Sequence, residues 1–209
     1  MPELPEVETI KRSLRPKLTG KIISQIIVIS KKNFIGDPAD AIGQKIMSVK
    51  RYGKVLVFAL SNKKYLSIHF KLSGQMLFSE NFSKPIFKNK IPFTKGNIMP
   101  ANTTRVIFHI STGEGLYFND LRKFGWIKLT RKPVIPTGID VLSKKFTVTY
   151  FKKTLLSIRA IKTALMDQNK LTGIGNIYAN DSLYTSKIHP LRPAKTLTSV
   201  EISRLHRSI

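Results

Sequence analysis

The sequence predicts an α+β protein in which an N-terminal helix and an antiparallel β-sandwich are followed by a helical domain. Apolar residues recur at helical spacing at the start of the chain, with a period of two over residues 21–129, and at helical spacing again beyond residue 140. Such changes of period indicate two different packing arrangements. We expect a β-sandwich domain over residues 1–130, a linker over 131–139 and a helical domain over 140–209.

The first predicted element is a helix from about Glu3 to Leu18. Three apolar residues share one face at spacing i, i+3, i+7: Val7, Ile10 and Leu14. Pro5 falls in the first turn, where its missing N–H costs little. Pro16 and Gly20 are expected to mark the end of the helix.

Short apolar runs separated by turn residues follow this helix, a pattern typical of an antiparallel sandwich. The predicted strands are residues 22–29, 55–60, 65–70, 105–110, 116–118 and 126–129. Residues 79–104 are rich in Pro, Lys and Asn and are interpreted as a long mobile connection between two of the strands.

The helical domain begins after a linker that contains two prolines and a glycine. Helices are predicted over residues 150–157, 158–167 and 176–186. Thr198 and Glu201 have capping-box spacing and begin a last helix. That helix reaches Ile209 without a C-terminal cap, so we expect the domain to be incomplete there.

The charge balance points to a polyanionic partner. The 209 residues contain 36 Lys and Arg against 12 Asp and Glu, a formal net charge of +24. A strong positive charge favours nucleic-acid binding; the alternative is a genome biased towards lysine codons. No apolar run reaches the ~18 residues of a membrane span, and we expect a soluble, cytoplasmic, nucleoid-associated monomer.

The first residues carry a possible nucleophile. Removal of Met1 would leave Pro2 with a free secondary amine, followed by Glu3 and Glu6 within one helical turn. An α-amine titrates at about 7.7–8.0 and a lysine at about 10.4, so a larger fraction of the α-amine is neutral at pH 7. The neutral amine is a nucleophile suited to Schiff-base formation. The alternative is that these acids only compensate the helix dipole.

Four motifs occur in the order seen in one family: PELPEVET from Pro2, HFKLSG from His69, NDLRKFG from Asn119 and LMDQNKLTGIGNIYA from Leu165. In these motifs the chain resembles the formamidopyrimidine-DNA glycosylases, bifunctional enzymes of base-excision repair. The resemblance covers the whole chain and implies a helix-two-turn-helix motif in the helical domain. It also implies duplex DNA as the partner.

The resemblance assigns catalytic roles near the N-terminus. It implies that Pro2 attacks C1′ of the damaged nucleotide, that Glu3 is the general acid and base at the sugar, and that Glu6 is its partner. β- and δ-elimination then cut the strand on both sides of the sugar. Lys54 matches a phosphate-binding lysine; the alternative is an exposed lysine at the start of a strand.

The resemblance also implies residues that fill the gap left by an extruded base. Leu72, Arg122 and Phe124 match these positions, with Leu72 where the family usually has methionine, a volume-conserving exchange. Lys123 replaces a common arginine and keeps its charge. The alternative for Leu72 and Phe124 is ordinary packing in the core.

Further implied DNA contacts lie in the helical domain. Gly175 and Asn176 match a phosphate-binding turn, and Asn176 is expected to be the N-cap of the helix that follows. Asp181 stands where the family usually has glutamate. Lys162 is expected near the pocket for the flipped base.

Leu4 and the HFKLSG motif favour oxidised purines as substrates, namely 8-oxoguanine and formamidopyrimidines. Longer family members bind one zinc ion through a C-terminal four-cysteine finger. The chain has no cysteine, so we expect no cofactor. Two alternatives remain: a DNA-binding remnant that is non-catalytic or acts only at abasic sites, and a small-molecule enzyme with an N-terminal proline, such as a tautomerase.

Overall fold

The computed structural model describes residues 2–209, which form two compact units. The first unit contains the chain up to Arg51 together with Val55–Val134. The second contains Tyr52–Lys54 together with Ile135–Ile209. The short segment Tyr52–Lys54 therefore groups with the helical part of the chain, although its neighbours on both sides belong to the sheets.

The predicted N-terminal helix is confirmed as α1, Leu4–Leu18. Glu3 is its N-cap residue and Thr19 its C-cap residue. Pro16 lies inside the helix rather than at its end. The last turn tolerates the proline, because the Thr19 N–H still donates to the Arg15 carbonyl, at 3.1 Å.

The first unit is built from two β-sheets. Its strands are β1 Ile23–Val28, β2 Phe34–Ile35, β3 Ile46–Tyr52, β4 Val55–Leu60, β5 Tyr65–His69, β6 Gly74–Ser79, β7 Thr104–Ile110, β8 Gly115–Asp120 and β9 Trp126–Thr130. One sheet has the order β1-β7-β8-β6 and the other the order β2-β9-β5-β4-β3. The short β2 pairs with β9 in parallel. The sequence analysis missed β2, β3 and β6, which lack a long apolar run.

The two sheets bury one common core. Side chains from both sheets and from α1 form it, including Val7, Leu14, Leu18, Ile26, Val49, Phe58, Leu66, Ile68, Val106, Phe108, Phe118 and Ile127. Alternate residues of each strand supply this core, as the period of two requires. The mixed α+β architecture expected from the sequence is confirmed.

Residues 79–104 differ from the long mobile connection that the sequence suggested. They pack on the outer face of the four-stranded sheet. Ile91 and Met99 are buried there against Ile107 and Tyr117, with Phe82 and Phe87 partly buried beside them. The apolar residues interspersed among the lysines therefore act as anchors, a role that composition alone obscured.

The second unit is helical. Its elements are β10 Ile139–Asp140, α2 Val148–Thr154, α3 Ile161–Leu165, β11 Leu171–Thr172, α4 Asn176–Thr185 and α5 Ser199–Ser208. The core includes Phe151, Leu155, Ile161, Leu165, Leu171, Leu183, Ile202 and Leu205. Within residues 2–209 no helix is long and apolar enough to cross a membrane.

Two features of the second unit were not predicted. β10 and β11 form a short parallel pair. The helix α3 begins at Ile161 rather than Ile158, because Ala160 forms a β-bridge with Pro193. That extended pairing removes the preceding residues from the helix.

The predicted capping box of α5 is confirmed. The Glu201 carboxylate accepts from the Thr198 N–H at 2.8 Å, and the Thr198 hydroxyl accepts from the Glu201 N–H at 3.3 Å. Arg192 also donates to Glu201, at 2.5 and 3.1 Å. The hydrogen bond from Arg192, together with that from the Thr198 backbone, lowers the pKa of Glu201 to about 2.

Glu201→Ala should lower the free energy of unfolding at pH 7 by about 1 kcal/mol, the usual worth of a helix cap. Because the folded-state pKa lies below the ordinary 4.5, this stabilisation is complete above pH 4.5 and is lost as the pH falls towards about 2. Urea unfolding of both proteins between pH 7 and pH 3 measures the difference. Val200→Ala, at an exposed neighbour in α5, is the control, and a difference independent of pH would contradict the prediction.

Candidate functional site

The start of α1 holds the residues next to the expected nucleophile. Glu3 is fully buried, at 0% exposure, and Pro2 is half-buried. The Glu6 carboxylate accepts a hydrogen bond from the Glu3 N–H at 2.8 Å. Glu6 therefore fixes the backbone of the residue that follows Pro2. Met1, whose removal the expected chemistry needs, lies outside the described residues.

Glu8, the third acid of the N-terminal motif, forms structural ion pairs. It lies 2.6 Å from Lys11 and 2.9 Å from both Arg12 and Arg51. Burial by itself raises the pKa of Glu8, but the hydrogen bonds from Lys11, Arg51 and Arg12 outweigh burial and bring the pKa to about 2. The pair with Arg51 links α1 to β3, so Glu8 serves the fold.

Lys54 lies in the tight turn between β3 and β4 and is half-buried, so it is not the exposed strand-start lysine of the alternative interpretation. The preceding residue, Gly53, has φ +56. A Cβ at Gly53 would collide with the hydroxyl oxygen of Thr172, so only glycine fits. The Gly53 N–H donates to the Asp140 carboxyl group at 3.1 Å, which holds the turn that carries Lys54.

Leu72, Arg122, Lys123 and Phe124 lie in two loops of the first unit. Leu72 follows β5, and the other three follow β8. Leu72 is 41% exposed and Phe124 48% exposed, so the alternative of core packing is wrong. The Arg122 guanidinium lies 5.3 Å from the centre of the Phe124 ring, and the Lys32 ammonium lies 5.6 Å from it.

Asp120, which sequence reasoning missed, joins these two loops. It is fully buried at the end of β8. Its carboxyl group accepts from the Ser73 hydroxyl, from the Arg122 N–H at 3.2 Å and from the Gly125 N–H at 2.7 Å. The Ser73 hydroxyl accepts in turn from the Arg122 N–H at 3.0 Å. Leu72 and Phe124 are therefore presented by loops that share one anchor.

A signal for Asp120 was present in the sequence. An acid two positions after the apolar run Leu116–Phe118 predicts a buried, partnered carboxyl group. The partners were not visible, because Ser73 lies 47 positions away.

In the second unit, a second group of hydrogen bonds orders the turn before α4. Gln168 accepts from the Gly173 N–H at 3.1 Å and donates to the Ile174 carbonyl at 2.7 Å. Gly173 has φ +111, which favours glycine. Sequence reasoning also missed this role of Gln168.

The N-cap of α4 is Gly175, and Asn176 is the first helical residue. The expectation that Asn176 is the N-cap is therefore wrong, because Gly175 already has the extended backbone of a cap. The first backbone N–H groups of a helix lack partners within the helix and suit an anion such as phosphate. Asp181 is exposed on α4, and Lys162 is half-buried on α3.

A four-cysteine zinc site does not fit the residues present. The chain contains no cysteine. Residues 2–209 also hold no group of three or more His, Asp or Glu that could bind a metal ion.

Comparisons with known proteins agree on one family. The family model for the formamidopyrimidine-DNA glycosylase N-terminal domain matches residues 1–127, and that for the H2TH domain matches residues 137–209. A formamidopyrimidine-DNA glycosylase from Pelotomaculum thermopropionicum is 37% identical over 225 residues. The match covers 100% of this chain and 75% of that protein.

Solved structures give the same result. The MutM (Fpg) protein from Thermus thermophilus matches with a TM-score of 0.82 and 32% identity, over 99% of this chain and 73% of that one. The complex between Lactococcus lactis Fpg (MutM) and a FAPY-dG containing DNA matches with a TM-score of 0.82 and 26% identity, over 99% and 76%.

Asp120→Asn should lower the free energy of unfolding by about 2–3 kcal/mol, because the new amide NH₂ would face donors that now bind a carboxyl oxygen. Amide hydrogen exchange should accelerate most at Arg122 and Gly125. Asp37→Asn is the control, since the Asp37 side chain caps the Ala39 N–H at 2.9 Å and asparagine caps equally well. Equal stability of the two variants would contradict the role given to Asp120.

Proposed function

Because the chain belongs to the formamidopyrimidine-DNA glycosylase family, we propose that it is a bifunctional DNA glycosylase and AP lyase of base-excision repair. The observation that carries this proposal is the pair of exposed apolar side chains, Leu72 and Phe124, on loops that share a buried anchor. An enzyme that extrudes a base needs such a wedge. A small-molecule enzyme has no use for it.

The wedge would work through three side chains. Leu72 and Phe124 insert into the stack beside the lesion. Arg122 hydrogen-bonds the base that has lost its partner, because its guanidinium presents several donors in a plane. The Phe124 ring makes cation–π contacts with the Arg122 guanidinium and the Lys32 ammonium.

The chemistry would begin at Pro2 after Met1 is removed. The neutral Pro2 nitrogen attacks C1′, the glycosidic bond breaks, and the base leaves with the proton that the Pro2 nitrogen gives up. Glu3 protonates the sugar ring oxygen, so the ring opens and an iminium ion joins Pro2 to the deoxyribose. The buried position of Glu3 directly after Pro2 supports this role.

Strand scission would follow from the iminium ion. The Glu3 carboxylate, which has just given its proton to the ring oxygen, takes a proton from C2′, and the 3′ phosphate leaves by β-elimination. Loss of a second proton, from C4′, then expels the 5′ phosphate by δ-elimination. Water then hydrolyses the iminium bond, which releases the sugar fragment and regenerates the Pro2 amine. Glu6 contributes by holding the Glu3 backbone at 2.8 Å.

The DNA backbone would be held by both units. We assign phosphate contacts to Lys54, to Lys123 and to the start of α4 at Gly175 and Asn176, because the backbone N–H groups at a helix N-terminus suit an anion. We assign Lys162 a position near the flipped base. We assign Asp181, on α4, a position beside the DNA-contacting residues. The net charge of +24 supports a polyanionic partner.

Oxidised purines, namely 8-oxoguanine and formamidopyrimidines, are the proposed substrates. The Lactococcus lactis relative is described in complex with a FAPY-dG containing DNA, which supports the formamidopyrimidine part of this assignment. Such a function would place a monomeric enzyme on the chromosomal DNA of the cytoplasm.

Borohydride trapping on a duplex with an abasic site should give a covalent adduct with protein whose intact mass shows that Met1 is absent. Pro2→Gly should reduce the trapped adduct by at least about 100-fold while duplex binding persists. No adduct from protein with a free Pro2, at high enzyme and low salt, would refute the lyase. Trapping on the abasic duplex without release of 8-oxoguanine would favour the abasic-site-only alternative.

Phe124→Ala should slow excision from a lesion duplex by about 10–100-fold, because extrusion loses part of its wedge. Cleavage of an abasic site in single-stranded DNA needs no extrusion and should change little. The control is Leu121→Ala, at a residue of nearly the same exposure, 49% against 48%. Single-turnover rates on both substrates provide the measurement, and equal slowing on both would contradict a wedge.

A further inference from the structure

Residues 86–98, named here the basic projection, form an ordered excursion from the four-stranded sheet. Ile86 and Ile98 form an antiparallel bridge. The Phe87 N–H donates to the Asn97 carbonyl at 2.7 Å, and the Ile91 N–H donates to the Gly96 carbonyl at 3.1 Å. The two arms are therefore paired, and the tip of the projection spans residues 90–95.

The projection is anchored to the sheet by apolar packing of Ile91, within its tip, and of Met99, directly after its last residue. Ile91 is 4% exposed and Met99 is 2% exposed, both against the outer face of β7 and β8. The Met99 sulfur also accepts from the Asn119 side-chain amide at 3.3 Å. Asn119 directly precedes Asp120, so the anchor lies beside the end of β8, where the loop that carries Phe124 begins. We call this loop and the loop that carries Leu72 the wedge loops.

The tip of the projection reaches the other wedge loop. The side-chain amide of Gln75 donates to the Pro92 carbonyl at 3.3 Å. Gln75 is the second residue of β6, directly after the loop that carries Leu72. In the sheet, Gln75 pairs with Asn119 and Gly74 pairs with Asp120. The tip therefore lies near the start of β6 and the end of β8, where the two wedge loops join the sheet.

The projection carries only positive charge. No Asp or Glu occurs between Glu80 and Glu114. Lys88, Lys90 and Lys95 are all exposed. None of these lysines forms a salt bridge with any of residues 2–209.

Phe93 stands at the tip between these lysines. It is 58% exposed and has φ +65, a backbone conformation unfavourable for a phenylalanine. The ring is thus held outwards on a paired, anchored turn. An exposed aromatic ring among cations that form no salt bridge is typical of a surface that contacts sugar and phosphate groups.

We propose that the basic projection is an additional DNA-binding element, in which Lys90 and Lys95 contact the phosphates of the duplex that flanks the lesion. The inference rests on the proposed function, which supplies the duplex at the neighbouring wedge loops. Charge complementarity and continuity with those loops identify the partner as duplex DNA.

The test compares two variants that remove equal charge. Lys90→Gln/Lys95→Gln alters the tip, whereas Lys45→Gln/Lys63→Gln removes two exposed lysines near the turn between β4 and β5, away from the end of β5 that leads to Leu72. Affinity for a lesion duplex is measured by fluorescence anisotropy from 50 to 200 mM salt. All four substituted lysines are exposed. Thermal melting of each variant verifies that it is folded.

Each phosphate contact contributes about 0.9 to the slope of log K against log salt. The tip variant should therefore lose about 1.8 from this slope, so wild type should weaken about tenfold more than the tip variant over the fourfold salt range. The control variant should keep the wild-type slope. Phe93→Ala should weaken binding a few-fold without changing the slope.

A second measurement locates the contact. Shortening the duplex stepwise on one side of the lesion should make wild type and the tip variant bind equally once the flanking phosphates are gone. Equal slopes for the tip and control variants on the long duplex would overturn the inference. Failure of the proposed function is distinguishable, because wild type would then bind no lesion duplex and give no trapped adduct.

Discussion

The buried carboxyl group of Asp120 is the constraint on which the proposed site depends. Two loops that are far apart in sequence end on its oxygens, through Ser73 on one side and the amides of Arg122 and Gly125 on the other. Exposed apolar side chains such as Leu72 and Phe124 gain nothing from water. They can act as a wedge only if the backbone beneath them resists displacement when DNA is pressed against them.

The acidic residues of this strongly basic chain mainly form ion pairs and hydrogen bonds that stabilise the fold. Glu8 joins α1 to Arg51, Glu114 pairs with Lys21, and Glu201 pairs with Arg192. Hydrogen bonds from the paired cations hold the pKa of each of these carboxyl groups below its ordinary value, although burial opposes the shift. Because the few acids are committed in this way, most lysines remain available for an external polyanion.

Much of the architecture was predictable from local patterns. The change from helical spacing to a period of two and back again marked α1, the longer strands and the helical unit. The capping box at Thr198 and Glu201 was read directly from its spacing. The strands β3 and β6 were missed because their polar residues hide a pattern that only pairing with neighbouring strands completes. Residues 79–104 were misjudged because their many Pro, Lys and Asn residues obscured the apolar anchors between them.

The sequence by itself determined the chemical inventory: a proline and two acids at the N-terminus, a large positive charge, no cysteine, and the motifs that identify the family. Those properties depend on residue type and spacing, which folding does not alter. Only the tertiary structure decided that Leu72 and Phe124 face solvent, that Asp120 joins their loops, and that Gly175 rather than Asn176 caps α4. It also decided that the tip of the basic projection lies beside the loops that carry Leu72 and Phe124. Except for the local cap of α4, these are relations between residues distant in the chain, and they exist only once the sheets have paired and buried their common core.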